Sequence, residues 1–214
     1  MKHCHAPAYQ PPRRLLLIVC LAALAGVCTA LQPQPVGATG DPVPPPVPAN
    51  LEVPAGNEAF LEGHAAGTQN YICLPSDSSF AWTFFGPQAT LFNDDDQQII
   101  THFLSPNPDE SGTARATWQD SLDTSTVWAQ AIASSSDPDF VASAAIPWLL
   151  LEVVGAEPGP TGGDGLTRTT FIQRLNTSGG IAPSTGCAQP TDVGARALVP
   201  YTADYVFYKA AESQ

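Results

Sequence analysis

Beyond residue 55 the chain is a succession of short apolar segments, several of them alternating apolar and polar, separated by Gly, Pro, Asn and Asp. Alternation with a period of two marks strands that bury one face. The pattern predicts strands at 59–63, 69–74, 80–85, 89–92, 97–103, 114–119, 126–132, 148–154, 169–175 and 203–209. The breaks carry Pro-Ser-Asp, Gly-Pro, Asn-Asp-Asp-Asp, Ser-Pro-Asn-Pro and a Gly/Pro-rich stretch at 155–165. Many short strands at this spacing predict an all-β domain, either a sandwich or a closed barrel. Trp148-Leu149-Leu150-Leu151-Glu152-Val153-Val154 is apolar at both parities, the pattern of a strand covered on both faces. The sole helical signature is Asp137-Pro138-Asp139-Phe140-Val141-Ala142, with an N-cap Asp and Pro at the first helical position. It predicts at most a short helix near 138–145, stopped by Pro147.

The N-terminus has a different character. Lys2, Arg13 and Arg14 precede an apolar stretch from Leu15 to Gly26, and Cys28-Thr29-Ala30 supplies small residues at a cleavage position. Residues 1–30 therefore read as a signal peptide, too short in its apolar run to span a bilayer. A competing reading makes Cys28 a lipid-bearing N-terminus, but Ala25-Gly26-Val27 departs from a lipobox and cleavage after Ala30 is preferred. Residues 31–54 are rich in proline and read as an extended linker, with a single domain over 55–214. The expected address is secreted or extracytoplasmic, in the periplasm or cell envelope, and no later segment is long enough for a transmembrane helix.

Charge narrows the partners. Past residue 30 there are five basic residues against all twenty acidic ones, a formal charge of −15. Such a surface repels phosphate backbones and anionic lipid, which argues against nucleic-acid binding. If Cys4, Cys20 and Cys28 leave with the leader, Cys73 and Cys187 remain. In an oxidising compartment that pair reads as a disulfide, two buried free thiols being the alternative.

Chemistry-bearing motifs are sparse. His64 and His102 are the only histidines past the leader and lie far apart, without zinc-ligand spacing. Asn93-Asp94-Asp95-Asp96 lacks the alternating ligands and glycine of a calcium loop and reads as a solvated turn. There is no nucleophile elbow, P-loop or dinucleotide fingerprint, so no catalytic, metal or cofactor assignment follows. A Ser-His-Asp arrangement would have to recruit His64 or His102. Trp82, Trp118, Trp128 and Trp148 sit inside strands, where packing in the core is expected for most of them rather than a sugar-stacking platform.

One polar constellation stands out. Glu152, Arg174 and Asp204 each interrupt an apolar strand. Charges on apolar strands are expected to pair, so Arg174 is expected to meet Glu152, Asp204 or both, fixing strand register. The functional alternative is an Arg-centred pocket that takes a carboxylate or sugar hydroxyls.

Four blocks together carry a family resemblance: Tyr71-Ile72-Cys73, Trp148–Leu151, Phe171-Ile172-Gln173-Arg174 and Tyr201-Thr202-Ala203-Asp204-Tyr205-Val206-Phe207-Tyr208. Over about residues 55–209 the chain resembles a family of secreted bacterial and fungal proteins known as a domain of unknown function. The resemblance implies no established activity. Some fungal members carry a malate dehydrogenase label, which the absence of a dinucleotide fingerprint and of alternating β-α units here does not support. The residues thus point to a cofactor-free extracytoplasmic binding or structural module, with a glycan or envelope component as a candidate partner. The alternative is a secreted hydrolase with an unrecognised site.

Overall fold

The computed structural model describes residues 40–212; the expected signal peptide and the first part of the Pro-rich segment lie outside them. Eight antiparallel strands, each hydrogen-bonded to the next and β8 to β1, close into an up-and-down barrel. They are β1 (Asn57–Ser76), β2 (Ser79–Phe92), β3 (Gln98–Asn107), β4 (Thr113–Asp120), β5 (Thr126–Ser135), β6 (Trp148–Glu157), β7 (Thr169–Gly179) and β8 (Arg196–Ala210). Closure pairs each strand with two neighbours over at least part of its length, which limits the aggregation hazard of an all-β chain. No described helix is long and apolar enough to cross a membrane.

Every predicted strand is present, but the first four merge into two. Residues 59–63 and 69–74 belong to the single strand β1, and 80–85 and 89–92 to β2. Gly86-Pro87, expected as a break, lies within β2 beside a bulge, where Asn70 pairs with Gly86 and Tyr71 with Phe84. The bulge adds a residue to one strand and bends it without ending it. Gly67 permits the close approach of β1 to β2, since a Cβ there would sit 2.2 Å from the Gln88 carbonyl oxygen. The 137–142 segment makes one turn, Phe140 and Val141 donating to the Asp137 carbonyl. Ala144 in the left-handed region (φ 61°) then leads it out, so no helix forms there.

Two apolar clusters hold the fold. The first fills the barrel and includes Leu91, Ile100, Trp118, Val127, Leu166, Ile172, Tyr205 and Phe207. It closes the end carrying the β2–β3, β4–β5 and β6–β7 connections, where Leu166 is fully buried and its amide donates to Ser125 Oγ at 3.0 Å. The second lies outside the wall: Trp148, Leu150, Leu175, Val206 and Tyr208 pack under Leu51 and Val141. Gln173 Nε2 donates to the Leu51 carbonyl at 2.7 Å, so the segment around Leu51 is strapped to the barrel. The packed unit therefore begins upstream of residue 55, taking in part of the Pro-rich stretch. This strap also explains the doubly apolar 148–154 pattern: Leu149, Leu151 and Val153 face inward, and Trp148 and Leu150 face the strap.

Candidate functional site

The barrel is filled at one end and open at the other. A cavity of about 330 Å³ occupies the second half, at the end carrying the β1–β2, β3–β4, β5–β6 and β7–β8 connections, and all eight strands contribute to its lining. Its walls are mixed: Leu104, Leu149, Leu151, Phe84, Pro87 and the faces of Trp118 and Tyr205 give apolar surface, and polar groups supply nearly as much. Cys73 and Cys187 form a disulfide that ties β1 to the β7–β8 connection at this end. Trp82 Nε1 donates to the Thr185 carbonyl at 2.9 Å, and Tyr71 Oη to that of Gly180 at 2.7 Å, so the long β7–β8 connection is held at the mouth.

Polar groups in the cavity are specifically placed. His102 is buried, its ring stacked on Trp118 with centroids 4.2 Å apart, as their direct pairing across β3 and β4 dictates. His102 Nδ1 donates to the Thr117 carbonyl at 2.9 Å, which leaves Nε2 as a lone-pair acceptor. Burial holds its pKa down at about 3, so the ring is neutral across the physiological range. Trp118 Nε1 and Gln69 Nε2 are buried donors without a hydrogen-bond partner. Unpartnered buried donors cost about 1–3 kcal/mol each, so they mark places where a further acceptor is favoured.

Arg174 is the cation of this cavity. On β7 it pairs with Leu149 of β6 and Tyr205 of β8, both inward-facing. Register partners share a face, so Arg174 points into the lumen. By the same rule Glu152, opposite Phe171, and Asp204, opposite Leu175, lie on the outer face. The structure therefore does not bring Glu152, Arg174 and Asp204 together, and the expected salt bridge is replaced. Arg174 Nε and Nη2 donate to the Pro147 carbonyl at 3.2 and 2.8 Å. Among the described residues no carboxylate pairs with it. A second guanidinium at the rim, Arg115, is taken up by Glu110 through two hydrogen bonds of 2.7 and 2.6 Å.

Asp204 has a different partner. Directly opposite it on β1, His64 Nδ1 lies 2.7 Å from Asp204 Oδ1, and His64 Nε2 lies 3.0 Å from Asp94 Oδ1 in the β2–β3 turn. The hydrogen bond to Asp204, with a smaller one to Asp94, raises the His64 pKa despite partial burial. Glu62, two residues earlier on the same face, completes a group of three ligand atoms within 4.8 Å of one another. The sequence does not show this outer-face cluster, because the register of His64 with Asp204 is a long-range pairing across β1 and β8. The two histidines do not meet, and no serine hydroxyl bonds either ring among the described residues. Of the tryptophans, Trp118, Trp128 and Trp148 are buried in packing, and only Trp82 is partly exposed.

Comparison with known proteins agrees with the resemblance carried by the four blocks. The family described as protein of unknown function (DUF3455) matches residues 54–209, and the chain belongs to it. No curated protein and no solved structure matches the chain.

Proposed function

We propose that this DUF3455 member is a binding module that takes a small organic ligand into the open half of its barrel. It works outside the cytoplasm, without a cofactor of its own. The observation that carries the reading is the cavity itself, a lumen of about 330 Å³ in which apolar walls face convergent polar groups. That volume and that polarity are those of small-ligand sites, and the mouths of closed barrels are a recurrent place for them. The Cys73–Cys187 disulfide supports an oxidising compartment. A hydrolase gains no support from the cavity: His102 is bonded to a backbone carbonyl in place of a carboxylate.

The test uses ligand-observed NMR with three planar probes, benzoate, benzamide and benzyl alcohol. They are added to the wild type and to two variants that fill the lumen, Ala114→Trp and Ala116→Phe. Both alanines line the cavity, and Ala114 at its mouth is exposed, so a bulky side chain there is compatible with folding. At least one probe is expected to bind the wild type and to be lost in the folded variants. The reading is overturned if no probe binds, or if binding survives with the lumen filled.

A further inference from the structure

Resting on that reading, we infer that the barrel selects a small planar carboxylate, the carboxylate meeting Arg174 and the planar body lying along the Trp118–His102 wall.

The argument starts from the charge of Arg174. A guanidinium stays protonated at every physiological pH, and placing it half-buried beside apolar walls is unfavourable unless an acceptor compensates it. The chain is rich in carboxylates, yet none pairs with Arg174 among the described residues. Its Nε and Nη2 are held by one neutral backbone oxygen, that of Pro147. That contact fixes the plane of the group, and the neutral Tyr205 hydroxyl is its other polar neighbour. The rim arginine, Arg115, shows what this chain does with a cation it intends to neutralise: Glu110 grips it with both oxygens.

A second, independent observation points to the same kind of ligand. Trp118 is 1 % exposed and its Nε1–H has no acceptor, although the residue lines the cavity. Gln69 Nε2, also lining the cavity, is a further unpartnered donor. Beside the acceptor His102 Nε2, the cavity thus offers one fixed cation and two orphan N–H groups. His102 adds no charge, because its ring is buried and neutral. A single cation beside apolar walls matches one negative charge, which favours a monocarboxylate over a multiply charged phosphate ester. The strongly acidic protein around it adds to that discrimination. The remaining walls are flat and apolar: Leu149 and Leu151 on one strand, Trp118 stacked with His102 on the others.

Benzoate and benzamide are nearly isosteric and differ in charge, so they separate this inference from the general one. NMR titration near pH 7 is expected to give benzoate an affinity at least about tenfold above that of benzamide. Arg174→Met should remove the preference while leaving benzamide binding in place, and Arg174→Gln, which keeps a donor toward Pro147, should do the same if the Met variant does not fold. Equal affinities in the wild type, or a preference that survives both substitutions, would overturn the carboxylate assignment while the binding reading stands. Failure of both probes to bind the wild type overturns the binding reading itself.

Discussion

The imidazole of His102 lies flat against the indole of Trp118, with ring centroids 4.2 Å apart and planes 14° from parallel. The pair forms because β3 and β4 place the two residues directly opposite, both facing the lumen. Their burial makes protonation of His102 costly, and this has a consequence for acid stability. The folded-state pKa, about 3, lies below the ordinary value of 6.5, so the unfolded chain binds the proton first. The stability held by neutral His102 is complete above pH 6.5 and is lost as pH falls toward 3. At pH 3 the loss amounts to about 4 kcal/mol, from about 1.4 kcal/mol for each pH unit of separation. Denaturant unfolding between pH 7 and 3 should show a weaker pH dependence in His102→Gln than in the wild type. Parallel slopes would contradict the burial of a neutral imidazole.

His64 is linked to pH in the opposite sense. Its pKa is raised, chiefly by the hydrogen bond to Asp204. The protonated ring bridges the β2–β3 turn to β8, so this contribution is present at low pH and fades as pH rises through the raised pKa. A histidine NMR titration should place His64 above 6.5. Asp204→Asn should lower it further than Asp94→Asn, following the order of the two hydrogen bonds. An ordinary His64 pKa, or a larger effect from Asp94, would be inconsistent with this bridge.

The strap around Leu51 is part of the fold. Leu51 is fully buried among Trp148, Leu150, Leu175, Val206 and Tyr208. Leu51→Ala should cost about 2–5 kcal/mol in denaturant melts, the range for buried leucine truncation. A change below about 0.5 kcal/mol would mean that the 47–53 segment behaves as a free linker.

The disulfide closes a loop with a sequence separation of 114 residues. In the chain-entropy description such a loop contributes about 4–5 kcal/mol. Cys73→Ser with Cys187→Ser should lower stability by an amount of that order. A second effect is expected at the cavity, because the bridge holds the β7–β8 connection at its mouth. Non-reducing peptide mapping of protein purified without reductant should recover the linked pair, and two alkylatable thiols would contradict it.

The local periodicities carried much of this fold. Short apolar segments between turn residues mark the strands, and Cys73 and Cys187, the two cysteines beyond residue 30, form the covalent tie. Interruptions were harder to read: Gly86-Pro87 has the composition of a turn but is absorbed by a bulge inside β2. Asp137-Pro138 has the composition of a helix start but yields one turn. The charged residues show the sharper limit. Strand parity sets Arg174 on the opposite face from Phe171 and Leu175, yet which face of β7 meets the lumen depends on pairing with Leu149 and Tyr205. Those pairings are set by barrel closure, which no single strand encodes. For the same reason Asp204 looked like a partner of Arg174 and is instead held by His64 across the β1–β8 seam.

Four tryptophans distribute the indole probes over the molecule: Trp118 in the cavity wall, Trp128 and Trp148 in packing elsewhere, and Trp82 at the β7–β8 connection. An ¹H–¹⁵N spectrum of ¹⁵N-tryptophan-labelled protein, titrated with benzoate, therefore reads out where the ligand goes. The Trp118 indole N–H, assigned by Trp118→Phe, is expected to move most, with Trp82 and Trp148 nearly still. Saturable shifts confined to Trp82, or no shift at Trp118 at saturating benzoate, would contradict a ligand site in the lumen.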